Sequence, residues 1–171
     1  MNWPQLQWNI PGAILPKIQY VDANGAAQTL EFRYPPVNVN PMAPVPKGSD
    51  NIASDGTLWT VSWYVEAYME FETYVLMGDD MDAWLRFLSI AVNGQTLTIY
   101  PNKDDITVSA PCTLMVAGRV NSSGAPAIDP RPTRVSPGLY KIQAVLRFQK
   151  PSDASLVFDT LNGRSEAADF A

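Results

Sequence analysis

Histidine is absent from this chain of 171 residues, and cysteine occurs once, as Cys112. Without imidazole the chain lacks the usual general base at neutral pH and the commonest zinc ligand. A single cysteine cannot form an intramolecular disulfide, which fits a reducing compartment. The surrounding "SAPCTLMVAG" is typical of a buried strand, where a thiol is inert. We therefore predict a protein that is not an enzyme and that uses no cofactor and no metal.

Positive charge is also scarce, with 12 Lys and Arg against 17 Asp and Glu, a net charge of −5. Nucleic-acid-binding surfaces need clustered basic residues, and here only Arg131 and Arg134 lie close together. We expect no tight nucleic-acid binding. The sequence has neither a signal-peptide pattern nor the roughly eighteen consecutive apolar residues of a membrane span. We expect synthesis in the cytoplasm and no membrane span.

The sequence does contain an unusually long alternation, "TLWTVSWYVEAYMEFETYVL", over residues 57–76. Apolar side chains occupy nearly every odd position, which indicates a β-strand with one buried face. At about 3.3 Å per residue, an unbroken strand of this length spans about 65 Å, more than a small domain buries. We expect either a bulge that divides it into two strands or a long β-ribbon with one end projecting beyond the domain.

One helix is predicted, over about residues 80–93. Asp79 is expected to cap it, Asp80 and Asp82 sit favourably in its first turn, and Gly94 is placed to end it. Capping explains this acidic cluster better than a metal site, because its spacing does not match a calcium loop. The apolar stripe at helical spacing comprises Met81, Trp84, Leu85, Leu88, Ala91 and Val92.

The rest of the pattern predicts β structure. The pair Asn24-Gly25, between two alternating runs, predicts a tight hairpin. Further strands are expected over residues 95–100, 106–118 and 139–149. Two proline-rich stretches, residues 35–56 and 119–138, are interpreted as long loops.

These elements together predict a mainly β fold, an antiparallel β-sandwich with one flanking α-helix. We expect a single domain over residues 14–150. An N-terminal arm, residues 1–13, precedes it and carries Trp3 and Trp8. A C-terminal tail, residues 151–171, follows it.

The even positions of the ribbon form a polar face of tyrosines and carboxylates. Such residues also line glycosidase clefts, but that chemistry needs two carboxyls held across a groove, and no groove is indicated. A solvated sheet face is the simpler interpretation. Tyrosine also suits a wet protein–protein interface, and an uncovered ribbon edge invites pairing with another chain. We therefore interpret the ribbon as an assembly element.

The order of features resembles distal tail proteins of long-tailed bacteriophages over about residues 14–149. The resemblance rests on "TLEFRYPP", the proline-rich stretch, the long aromatic strand, "DAWLRFLSIAVNGQTLTIYPN" and the closing "GLYKIQAVLRFQK". It implies a β-sandwich with a flanking helix that forms a hexameric ring. Distal tail proteins often carry a second, carbohydrate-binding-like domain, for which this chain has no room.

The resemblance implies a structural virion protein at the distal end of the tail tube, connecting it to the tail tip or baseplate hub. Its partners would be copies of itself and neighbouring tail-tube and tail-tip proteins. Candidate subunit-interface residues are Tyr64, Tyr68, Tyr74, Trp3, Trp8, Arg131 and Arg134. Candidate channel-facing acidic residues, which would repel DNA phosphates, are Glu66, Glu70 and Glu72.

Two alternatives stay open. A carbohydrate-binding or adhesin-type β-sandwich would stack its aromatic side chains on sugar rings. A tail-tube or tail-terminator ring would use the same fold at another position in the tail.

Overall fold

The computed structural model of the chain describes residues 14–41, 45–116 and 129–162, with the side chains in those ranges apart from residues 41, 45–47 and 61–65. Within these ranges the chain forms nine β-strands and two α-helices. The strands are β1 (Lys17–Val21), β2 (Ala27–Glu31), β3 (Val37–Pro41), β4 (Val45–Ile52), β5 (Leu58–Leu76), β6 (Leu97–Tyr100), β7 (Ala110–Met115), β8 (Thr133–Ser136) and β9 (Leu139–Phe148). The helices are α1 (Asp79–Ala91) and α2 (Pro151–Leu161).

The described strands pair antiparallel throughout, in the order β2-β1-β6-β7-β9-β5-β3, with β4 also beside β5 and β8 beside β9. Strand β7 joins the two halves, because its first residues pair with β6 and its last residues pair with β9. The halves face each other: the rings of Phe32, after β2, and Phe71, on β5, lie 5.7 Å apart between centroids. The predicted antiparallel β-sandwich with a flanking helix is confirmed.

Helix α1 covers the core between the two halves. The Trp84 ring lies 5.0 Å from Phe32 and 5.8 Å from Phe87, and Phe87 lies 5.3 Å from Tyr20. The predicted stripe was wrong in one member, because Leu85 is 48% exposed and Phe87 is buried. Phe87 follows Trp84 by three residues and therefore lies on the same side of the helix.

The helix begins differently from the prediction. Gly78 is the N-cap, and Asp79 makes no capping hydrogen bond. Instead the Asp80 carboxylate accepts a 3.0 Å hydrogen bond from the Leu76 N–H, which ties the helix to the end of β5. The predicted stop is confirmed: Gly94 has a φ of 86°, a backbone conformation that side chains rarely tolerate.

The two proline-rich stretches are not entirely loops, contrary to prediction. Residues 35–56 contain β3 and β4, and residues 119–138 contain β8. Proline lacks an N–H donor and is tolerated on an edge strand. Pro46 lies on β4, which within the described ranges pairs only with β5, and Pro41 is the last residue of β3. Neither residue therefore interrupts the sandwich.

The segment after residue 150, which we expected to be a tail, begins with helix α2. Pro151 occupies its first turn, where a missing N–H costs nothing. Val157 is fully buried and belongs to the main core cluster. Residues 151–161 therefore pack as part of the folded body, and the rest of the predicted tail lies outside the described residues.

Candidate assembly surface

Strand β5 leaves the sandwich half-way along its length. Residues 67–76 pair with β9, whereas residues 58–66 pair with β4. Strand β4 continues β3 along the same edge of β5, so the opposite edge of residues 58–66 has no partner strand in the described part of the chain. Residues 45–66, here called the projecting hairpin, therefore extend about 30 Å beyond the sandwich. This is the second of the two arrangements expected from the sequence.

The end of the projecting hairpin exposes apolar side chains on both faces. Ile52 and Leu58 lie opposite each other and are 76% and 63% exposed. Trp59, the next residue on β5, is 62% exposed and points to the other face, because successive strand residues alternate. Single exposed apolar residues are ordinary, but three together at one tip are typical of a surface that another molecule covers.

The turn that closes the hairpin is held by its own hydrogen bonds. The Ala53 N–H donates to the Thr57 carbonyl at 2.8 Å, and the Asp55 carboxylate accepts from the Thr57 N–H at 2.9 Å. Hydrogen bonds from the Thr57 side chain and N–H lower the pKa of Asp55. Gly56, with a φ of 86°, supplies the left-handed conformation that the turn needs. The tip is thus presented in a defined conformation.

The projecting hairpin has two free edges. One is residues 58–66 of β5, and the other is the outer edge of β4, which pairs with no other strand among the described residues. Lys47 lies opposite Tyr64 and Gly48 opposite Ser62, so one extra residue forms a bulge on β5. Free edges present unpaired N–H and C=O groups to which a further strand adds.

On the outer face of the sandwich, Glu72 fastens three strands together. Its carboxylate accepts hydrogen bonds from the side chains of Gln143 at 2.6 Å and Asn38 at 2.9 Å, and the Lys141 ammonium lies 3.9 Å away. The Gln143 bond, the Asn38 bond and the Lys141 charge hold the pKa of Glu72 below its ordinary value. The Glu72 carboxylate therefore binds side chains of its own chain.

A second polar cluster lies where β5 separates from β9. The Tyr68 hydroxyl donates a 2.7 Å hydrogen bond to the Glu66 carboxylate, whose other oxygen lies 3.9 Å from Nη1 of Arg147. The Arg147 Nε donates to Oγ1 of Thr113 at 3.1 Å. Beside this cluster is an open cavity of 550 Å³ lined by Glu66, Arg147, Gln149 and Lys150.

The structure places the predicted interface residues in different environments. Tyr74 is half-buried on the outer face, and Arg134 is exposed on β8. Arg131, with 85% of its side chain exposed, pairs with Asp129 at 2.6 Å. Tyr68 is 1% exposed and differs from the expectation, because it is buried within the chain. Trp3, Trp8 and the side chain of Tyr64 lie outside the described residues.

The predicted channel-facing carboxylates also differ from one another. Glu66 is 6% exposed, so the interpretation of this face as solvated was wrong at this position. Glu70 and Glu72 are half-buried. Alternation identified which residues share a face, but it carries no information on what covers that face.

Sequence reasoning missed the exposed tip. Leu58 and Trp59 begin the ribbon, for which a projecting end was one of the two expected arrangements, but the alternation did not indicate which end projects. Ile52 lay in the stretch interpreted as a loop. The signal that identifies the tip is the pair Asp55-Gly56, a turn signal followed by an alternating run. It was obscured by the prolines that precede β4.

The described residues show few features of a metal-binding or catalytic site. They contain no group of three or more Cys, Asp or Glu side chains arranged to hold a metal ion. Burial raises the pKa of the Cys112 thiol to about 12, so almost none of it is thiolate at neutral pH. Among the helices of the described ranges, none is long and apolar enough to cross a membrane.

No protein-family model matches the chain, and no curated protein matches it significantly. One similar solved structure is described as "Tail of empty GTA particle computed with helical refinement, C6 symmetry". The identity is 9% and the TM-score 0.36, over 83% of this chain and 95% of that one. A likeness of this size shows neither the fold nor the function of this chain.

Proposed function

We propose that this chain is a structural component of a phage tail, which assembles through its projecting hairpin into a closed ring. The observation that carries this proposal is the hairpin itself, with two free edges and an exposed apolar tip. The resemblance of the sequence to distal tail proteins supports a place at the distal end of the tail tube, joining it to the tail tip. No cofactor and no catalytic step are involved.

The position of the free edges favours a ring over a dimer. The two edges belong to different strands and lie on opposite sides of the hairpin, so the β4 edge of one copy fits the β5 edge of the next. Such a head-to-tail contact uses two different surfaces, and it closes into a ring when the rotation between copies divides a full turn. A six-membered ring is the stoichiometry that the resemblance implies.

Acidic side chains on the hairpin suit a ring through which DNA passes. Residues 48–60 include Asp50 and Asp55 and no lysine or arginine. Carboxylates that face a lumen would repel phosphates and keep the DNA from binding. With Glu66 and Glu72 engaged inside the chain, we propose Glu70, Asp50 and Asp55 as the acidic residues nearest such a channel.

Native mass spectrometry of the purified chain, with negative-stain images of the same sample, tests this function. We expect a closed ring, with six copies as the expected number. A stable monomer at micromolar concentration would contradict self-assembly through the hairpin. A glycan array on the same preparation addresses the carbohydrate-binding alternative, and the ring proposal predicts no binding there.

A further inference from the structure

The cavity at the base of the projecting hairpin contains an arginine with unused donors. Arg147 is held on one side by its Nε bond to Thr113 and on the other by the charge of Glu66. Its Nη1 and Nη2 atoms donate no hydrogen bond to any acceptor in the described part of the chain. The guanidinium is therefore oriented, partly exposed and still able to bind a planar anion through two hydrogen bonds.

The charge of the cavity favours a negative ligand. Among the described residues, its lining contains Arg147 and Lys150 against the single carboxylate of Glu66. The Glu66 carboxylate also accepts the Tyr68 hydroxyl, which satisfies one of its oxygens. At 3.9 Å from Nη1, Glu66 is too far away for a direct hydrogen bond to the guanidinium. Arg147 and Lys150 can therefore both bind an anion that enters the cavity from solvent.

The cavity also lies at one end of the free β5 edge. Glu66 is the last residue of that edge, since Ala67 already pairs with Phe148 of β9. A strand added along residues 58–66 therefore ends beside Arg147 and Lys150. Because this chain carries more acidic than basic residues, a second copy approaching along that edge brings carboxylates toward the two cations.

We propose that the cavity formed by Glu66, Arg147, Gln149 and Lys150 receives a carboxylate side chain from the adjoining copy of the chain. This inference rests on the proposed ring and adds a charged contact at the base of each hairpin. Arg147 binds the carboxylate through its Nη donors, and Lys150 adds a second positive charge. The contact fixes the register of each copy along its neighbour, which contacts between apolar tips alone would not determine.

The test compares assembly of full-length variants by native mass spectrometry at 50 mM and 500 mM salt. Arg147→Gln alone removes a positive charge beside the buried Glu66 carboxylate and risks unfolding. The informative variants are therefore Lys150→Gln and the neutral pair Glu66→Gln with Arg147→Gln. Arg86→Gln, which removes an exposed cation on α1, is the matched control. Circular dichroism checks that each variant is folded.

We expect the double variant to raise the concentration needed for assembly about tenfold at low salt, and Lys150→Gln about threefold. Both variants should also lose part of the salt dependence of the wild type, while Arg86→Gln behaves as wild type. If the wild type forms a ring and both variants assemble at its concentration with its salt response, the carboxylate contact is wrong and the ring stands. If the wild type stays monomeric, the proposed function fails as well.

Discussion

Ile52 and Leu58 face each other across the last pair of the projecting hairpin, with 76% and 63% of their surfaces exposed. No described element of the chain covers them, although Trp59 extends the same apolar tip on the other face. An isolated two-stranded hairpin is marginally stable in water. An exposed apolar tip is typical of a surface that another molecule covers, and we propose that a further copy of the chain pairs with the free edges.

Replacing Leu58 and Trp59 by serine should impair assembly and leave the fold intact. Exposed side chains contribute little to folding, so we expect the free energy of unfolding to change by no more than about 0.5 kcal/mol. A tryptophan that becomes buried in an interface often contributes much of the binding free energy. The concentration needed for assembly should therefore rise at least about tenfold. Light scattering after gel filtration measures this, with Leu85→Ser on α1 as the control. Unchanged assembly in the double variant would contradict the role of the tip.

The packing of α1 gives a direct comparison of two neighbouring apolar residues. Phe87 lies against Trp84 and Tyr20, whereas Leu85 is 48% exposed. We expect Phe87→Ala to lower the free energy of unfolding by about 3–5 kcal/mol. Leu85→Ala should change it by no more than about 0.5 kcal/mol. Urea unfolding measures both, and equal losses would mean that α1 turns a different face toward the core.

The elements whose signals lie in neighbouring residues were predicted from the sequence. The Asn24-Gly25 turn, the Gly94 stop and the alternation of β5 each act over a few residues. Strands β3, β4 and β8 were missed because the prolines within or beside them indicate loops. In β4 the edge position of Pro46 makes a strand possible. The burial of Glu66 and Tyr68 depends on residues distant in sequence, so no local pattern contains it. Pro151, the first residue of α2, is a helix-start signal that the prediction of a tail did not take into account.

The stability of the chain should depend on the ionisation of Glu72. Hydrogen bonds from Gln143 and Asn38, with the charge of Lys141, lower its pKa in the folded state from the ordinary 4.5. The resulting stabilisation is complete above pH 4.5 and is lost as the pH falls through the lower pKa of the folded state. Glu72→Gln should therefore melt at a lower temperature than the wild type at pH 7, with a difference that shrinks toward pH 3.

Thermal melting between pH 7 and pH 3 checks this prediction. The control is Glu31→Gln, because Glu31 is exposed on β2 and its side chain makes no hydrogen bond in the described ranges. Its melting temperature should follow that of the wild type throughout. A difference between wild type and Glu72→Gln that stays constant across this pH range would show that the carboxylate charge contributes nothing.

Hydrogen–deuterium exchange of residues 58–66 tests the central claim, that the free β5 edge pairs with a second copy. In an antiparallel ladder, alternate N–H groups of this segment bond to β4 and the others face the open edge. In the Leu58→Ser, Trp59→Ser variant, kept below the concentration at which it assembles, the edge-facing amides should exchange rapidly. In the assembled wild type they should be strongly protected. An assembled wild type whose edge-facing amides exchange as fast as those of the monomer would contradict the account.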